Sequence, residues 1–152
     1  MIIESTRLGK LDIEDHNVIQ FPHGIPGFPD EKEFVLLPCE PDSPFAYMQA
    51  VAEPNLTFLV VEPFTFFNDY EFTLDDQITD DLKLSDEKLP QIFNIVTVPE
   101  KAEEMTVNLL APIVMNLHDR IAQQVVLEKV PFTTRHRLFP SGFPEADRKG
   151  GR

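Results

Sequence analysis

Apolar positions along this chain fall in short runs of strand length, with little of the three-and-four spacing that marks helices. Leu11 and Ile13 alternate with Lys10 and Asp12, the period of a strand with one buried face. A polar turn, Glu14-Asp15-His16-Asn17, leads into a second run at Val18–Phe21. Phe34-Val35-Leu36-Leu37 and Phe58-Leu59-Val60-Val61 are unbroken apolar runs, suited to strands covered on both faces. Ile92–Val98 is rich in β-branched residues, which pack well on a pleated surface. Ile113–Asn116 and Ile121–Leu127 flank a short polar loop, Leu117–Arg120, and predict a hairpin. Most of the 14 prolines lie between these runs, because proline cannot donate to a sheet ladder and is expelled to turns, edges and strand ends. Eight or nine such strands predict a mainly β fold, a small antiparallel closed barrel-like domain.

One segment has a different period. Leu74, Ile78 and Leu82 recur every four residues and predict one short helix around residues 74–84. Thr73 is the expected N-cap, with Asp76 three residues later in a capping-box arrangement. Asp75 and Asp76 then lie in the first turn, where the helix dipole favours acids. Residues 1–138 are expected to form a single domain. The polar, glycine-bearing stretch 139–152 is expected to be a flexible C-terminal tail.

Charge changes the picture more by place than by total. The chain carries 13 basic and 26 acidic side chains, a formal net charge of −13. All of the imbalance sits in residues 31–105, which hold 17 acids and 4 bases, and the remainder holds 9 of each. Within the acidic half, Glu62 to Glu87 carries nine acids against Lys83 alone. Arg135, Arg137, Arg148, Lys149 and Arg152 tilt the C-terminal end the other way. Such a chain is unsuited to a phosphate backbone, which needs clustered Lys and Arg, or to an anionic membrane surface. A basic protein is the partner that this charge suits. No apolar run approaches the roughly 20 residues of a membrane span; the longest, Leu109–Met115, has seven and contains Pro112. With no signal-like segment after Met1-Ile2-Ile3 and a single cysteine, the expectation is a cytoplasmic protein without disulfides.

A search for catalytic groupings returns little. His16, His23, His118 and His136 show no local metal-pair spacing, and Cys39 has no Cys-x-x-Cys partner. Glu40 beside Cys39 raises a thiol's pKa, the wrong direction for a nucleophile. Asp75, Asp76, Asp80 and Asp81 lack the loop spacing and turn glycine of a calcium site and read as a solvated helix face. In Gly24-Ile25-Pro26-Gly27, Pro26 removes a donor that a phosphate-cradling loop would use. The expectation is a non-enzyme with no metal or cofactor.

The segment Pro63-Phe64-Thr65-Phe66-Phe67-Asn68-Asp69-Tyr70-Glu71-Phe72 is unusual, with five aromatics in nine residues. If it is extended, Phe66 and Phe67 point to opposite faces, and one core face cannot take both. Either both faces are buried or some ring lies at the surface. We read it as a partly exposed aromatic patch rimmed with acid, a composition suited to protein binding. Phe28, in the turn Pro26-Gly27-Phe28-Pro29, is a second loop-borne ring. The candidate partner-binding set is Phe28, Phe66, Phe67 and Tyr70 as anchors, with Asp69, Glu71, Asp75 and Asp76 as the charged rim.

Taken in order, several segments make the chain resemble the bacterial flagellar assembly factor FliW family, from near its first residue to about Leu138. They are Phe21-Pro22-His23-Gly24-Ile25-Pro26-Gly27-Phe28, Ser43-Pro44-Phe45-Ala46-Tyr47-Met48-Gln49, the Pro63–Phe72 run and Asn94-Ile95-Val96-Thr97-Val98-Pro99. Thr106–Val114, Gln124-Val125-Val126-Leu127 and Thr134-Arg135-His136 complete the set. Asn68 and Arg137 stand where the family pattern has proline. The resemblance implies a small, non-catalytic, barrel-like cytoplasmic protein, expected to be monomeric when free. It implies binding to newly made flagellin and, alternatively, to the translational repressor CsrA. Flagellin occupying the protein would free CsrA to repress flagellin translation, and export of flagellin would let CsrA be recaptured. The antagonism it implies is allosteric. A different reading of the acidity is a general acidic chaperone or nucleic-acid mimic that masks the RNA site of a basic protein directly.

Overall fold

The computed structural model describes residues 1–143. These form eleven strands and one short α-helix. The strands are β1 (Ile2–Ser5), β2 (Gly9–Asp12), β3 (Ile19–Gln20), β4 (Glu33–Pro38), β5 (Phe45–Ala50), β6 (Thr57–Val61), β7 (Gln91–Thr97), β8 (Thr106–Val107), β9 (Ile113–Asn116), β10 (Ile121–Gln124) and β11 (His136–Arg137). Seven of them close a barrel in the order β7-β6-β5-β4-β3-β10-β9, and β9 returns to β7 through Phe93 opposite Ile113. The predicted hairpin is present, with Ile121 opposite Asn116 and Gln124 opposite Ile113. The wall is antiparallel as expected except at β3 and β10, which run parallel and pair only at Ile121 and Gln20.

Period-two alternation sorts the wall residues into three cores. The interior holds Ile19, Phe34, Ala46, Met48, Ala50, Val60, Phe93, Ile113, Met115 and Ala122. Alanines facing Phe and Met fill a tapering lumen with side chains, and Phe21 and Ile25 join the same cluster. Each fully buried Phe or Met contributes roughly 1.5–3 kcal/mol by leaving water.

The opposite faces of the same strands are also covered, in two places. The β1–β2 hairpin lays Ile3 and Leu11 with Ile13 against Val35 and Leu37 of β4. Val61, Ile92, Val96 and Val114 face outward under a cap built from residues 66–84 and the C-terminal stretch. The unbroken runs at 34–37 and 58–61 therefore serve two cores at once.

The helix, α1, is shorter than its spacing predicts, spanning Asp76–Asp81. Asp75, not Thr73, is its N-cap, and the Asp75 carboxylate accepts from the Ile78 N–H at 2.9 Å. Leu74 and Ile78 still pack on the outer core, and Leu82 is buried in it, so the apolar stripe outlasts the helical turns. In residues 139–143, assigned by sequence to the tail, Phe139 stacks on Phe66 at 5.5 Å and on Phe143 at 4.9 Å. The rest of that tail, with Arg148, Lys149 and Arg152, lies outside the described residues.

Candidate partner-binding surface

Pro63 opens a 3-10 turn over Pro63–Thr65, and the amides of Phe66 and Phe67 both donate to the Pro63 carbonyl, at 3.0 and 2.8 Å. The Tyr70 amide then donates to the Phe67 carbonyl at 2.9 Å. The segment is coiled, so the opposite-face geometry of an extended chain does not apply to Phe66 and Phe67. Proline pre-sets φ for a first turn, and that local choice converts the aromatic run from a strand into a lid.

The lid is a network of rings. Phe66 meets Phe45 at 5.8 Å, Phe67 meets His136 at 6.0 Å, and Tyr70 meets Phe132 at 4.8 Å and Phe72 at 5.3 Å. Tilted and edge-on rings at these separations are each worth about 0.5–1.5 kcal/mol beyond burial. Phe66 and Phe67 are half-buried, and Phe64, absent from the sequence-based set, is 47% exposed beside Tyr70. Its position just after the turn-starting Pro63 is the one sequence signal that would have marked it.

Tyr70 is not at the surface. It is 4% exposed, its hydroxyl donates to the Leu109 carbonyl at 2.7 Å, and it accepts from the Asn94 side-chain amide at 3.2 Å. Burial pushes its pKa up to about 12, opposed by the Asn94 hydrogen bond. The ring supports the lid from below and presents no face to a partner.

Asp69, Glu71, Asp75 and Asp76 are all exposed. Asp69 and Glu71 flank Tyr70 in the lid. Asp75 and Asp76 begin α1, whose Ile78 packs on the same outer core as Phe66 and Phe67. Acid and half-buried aromatic thus share one cap, although one Asp75 oxygen is engaged in capping. Phe28 belongs elsewhere: it is 42% exposed and stacks edge-on against Phe58 at 5.9 Å, on the interior cluster. Gly24 holds its loop in place, with φ of +66° and a backbone so close that a Cβ would sit 2.5 Å from the Pro29 carbonyl oxygen.

Two buried asparagines anchor the cap and had no place in the sequence-based set. Asn94, on the outer face of β7, donates to Tyr70 and to the Asn108 carbonyl. Asn116, at the end of β9, donates to the Leu82 carbonyl at 2.8 Å and to Asp119 at 2.9 Å. Lys88 closes on Asp119 at 3.0 Å, and that hydrogen bond, with burial opposing it, holds the Asp119 carboxyl below its usual range. Asn94 interrupts an apolar strand run and Asn116 ends one, and a polar residue buried there is the signal they leave in sequence.

Cys39 is exposed, and partial burial and then Glu40 push its thiol pKa up. Among the described residues no three His, Cys, Asp or Glu side chains gather as metal ligands, and no helix is long and apolar enough to cross a membrane.

Comparison with known proteins matches residues 2–138 to the model of the FliW protein family. The chain is 51% identical over 151 residues to the flagellar assembly factor FliW of Desulfitobacterium hafniense (strain DSM 10664 / DCB-2), covering 99% of each. It is 43% identical over 138 residues to that of Bacillus subtilis (strain 168), covering 91% of this chain and 96% of the relative. A crystal structure of the flagellar assembly factor FliW superposes with a TM-score of 0.86 at 39% identity, over 93% of this chain and 99% of that one.

Proposed function

Because the chain belongs to the FliW family of flagellar assembly factors, we propose that it is a non-catalytic partner-switch regulator. It binds newly made flagellin and, alternatively, the translational repressor CsrA in the cytoplasm, and is monomeric when free. Flagellin held by the protein leaves CsrA free to repress flagellin translation. Exported flagellin leaves the protein free to take CsrA, and repression lifts.

The observation that carries this reading is the shared cap of aromatic rings and acid. Phe66 and Phe67 pack on the outer core, Phe64 lies beside its Tyr70, and Asp69, Glu71 and Asp76 are exposed along the same stretch of chain. An RNA-binding repressor carries basic surface, which the acids steer, and rings excluded from water supply affinity. Tyr70 acts through the lid it supports, and Phe28 is a separate contact.

Because Tyr70→Ala would open the core, the informative variant is Phe64→Ala with Phe67→Ala, checked for folding by circular dichroism. Its affinity for CsrA or flagellin should fall at least tenfold; a folded variant that keeps both affinities moves the docking face elsewhere. Flagellin should displace CsrA from the wild-type protein, whereas target RNA should show ternary or non-competitive behaviour with the protein–CsrA complex. Direct competition by RNA would instead support the acidic mimic.

A further inference from the structure

The barrel wall is thinnest where β3 meets β10. One parallel pairing holds it, Ile121 opposite Gln20, and the Gln20 N–H donates to the Arg120 carbonyl at 2.9 Å. Continuing that ladder would need an N–H at residue 22, and Pro22 has none. On the other side of β10, the register with β9 continues past the strand, and the Val125 N–H donates to the Pro112 carbonyl at 2.9 Å. In an antiparallel pair this turns the amides of residues 121, 123 and 125 toward β9 and those of 122, 124 and 126 away from it. The Ala122 amide faces β3. The Gln124 and Val126 amides lie beyond the point where Pro22 ends the wall, and neither has a backbone acceptor among the described residues.

This edge lacks ordinary protection. Charges and prolines usually blunt an exposed strand edge, but residues 121–126 read Ile-Ala-Gln-Gln-Val-Val, and Val126 is 60% exposed. Beside it lies a hollow of about 230 Å³ lined by Pro22, His23, Asp81, Leu82, Ile121 and Gln123. Asp81, at the end of α1, is exposed there, and Asp80 before it is exposed as well. The edge is uncharged along its length and anionic at its rim.

We propose that the open edge where β10 ends, residues 124–126, is a docking strand that takes up an extended segment of a basic protein by strand addition. The Gln124 and Val126 amides donate to carbonyls of the segment, and Asp81 pairs with one of its Lys or Arg side chains. A second copy of this chain would bring another −13 charge to the same edge, and like-charge repulsion opposes that occupant. Only the identity of the natural partner, CsrA, rests on the function proposed above.

Amide hydrogen exchange on the full chain tests this, using a synthetic octapeptide of alternating valine and lysine as probe. Saturating Val–Lys peptide should slow exchange at Gln124 and Val126 at least tenfold, and an alternating Val–Glu peptide should not. Val126→Pro removes one outward donor without touching a β9–β10 bond and should weaken peptide binding at least tenfold. Val126→Lys, which keeps the donor and repels the peptide, gives the same reading should the proline variant fail to fold. Protection confined to other amides, undiminished binding by both variants, or concentration-dependent protection of these amides without peptide would each overturn the proposal. Purified CsrA separates the two claims. If CsrA fails to bind while the peptide still protects the edge, the docking strand stands and the proposed function falls. If CsrA binds and leaves both amides unprotected, the function stands and the docking strand is overturned.

Discussion

The Tyr70 hydroxyl joins segments that no strand pairing connects, the lid, the Leu109 carbonyl and the Asn94 side chain. Asn94 already carries a buried side-chain oxygen with no partner among the described residues, so the network has a spare acceptor and no spare donor. Tyr70→Phe keeps the ring and removes the hydroxyl, leaving the Leu109 carbonyl unpaired. A buried polar group in that state costs roughly 1–3 kcal/mol, and urea unfolding should show a lower midpoint with an unchanged slope. The pH dependence has a definite sign. The phenol titrates near 10 when unfolded and near 12 when folded, so its neutral form stabilises the fold fully below pH 10. That contribution is lost as pH rises from 10 through 12. Wild-type protein should lose stability across this window more steeply than Tyr70→Phe does. Sequence alone marked Tyr70 as special but placed it outside, because an aromatic with a polar tip suits an interface as well as a satisfied core position. The distant partner decides, and Asn94 lies 24 residues away.

Strand runs long enough to have their own period were legible: β4, β6, β7 and the β9–β10 hairpin fall within a residue or a few of their predicted positions. β5 was not read as a strand because Phe45 and Tyr47 face outward while Ala46 and Met48 face the lumen, which blurs the alternation. β8 and β11 have two residues each and owe their pairing to one another and to β7. A segment that short has no periodicity to read. The helix failed at its ends for a different reason. Its stripe runs from Leu74 to Leu82, but Asp75 caps the backbone two residues inside the expected start, and Lys83 stops it at φ of +56°. The Lys83 amide bonds to the Asp80 carbonyl and the Leu84 amide to the Thr79 carbonyl, a left-handed closure that usually employs glycine. Asp75→Ala should destabilise the protein by about 1 kcal/mol through the lost cap. Lys83→Gly should raise stability by up to ~1 kcal/mol through relief of the left-handed backbone. Thermal melts of the two variants, moving in opposite directions, check both.

At the scale of the whole molecule, closing the barrel turns a charge asymmetry along the chain into an asymmetry of surface. Residues 31–105, the acidic half, supply β4 through β7, the lid and α1. Residues 66–84 of the cap that hides the outer core therefore come from the same stretch that carries the −13. Burial uses the apolar side of that stretch and leaves its carboxylates facing water, so the proposed docking face is a by-product of how the second core is covered. The charge is legible in the sequence, yet the end of α1 is held to the barrel by Asn116 donating to the Leu82 carbonyl, with Lys88 closing on Asp119 beside it, contacts no local pattern announces. Long-range attraction of this kind acts mainly on encounter, while desolvated rings act on residence. Ions screen exposed charges over about 10 Å at 0.1 M and about 3 Å at 1 M. Raising salt from 50 to 500 mM should therefore slow association with CsrA about tenfold or more and change dissociation far less, as read by stopped-flow fluorescence. Phe64→Ala with Phe67→Ala should do the reverse, speeding dissociation and sparing association. Should salt instead act chiefly on dissociation, the carboxylates would be buried against the partner, and the rings would lose their place as the source of affinity.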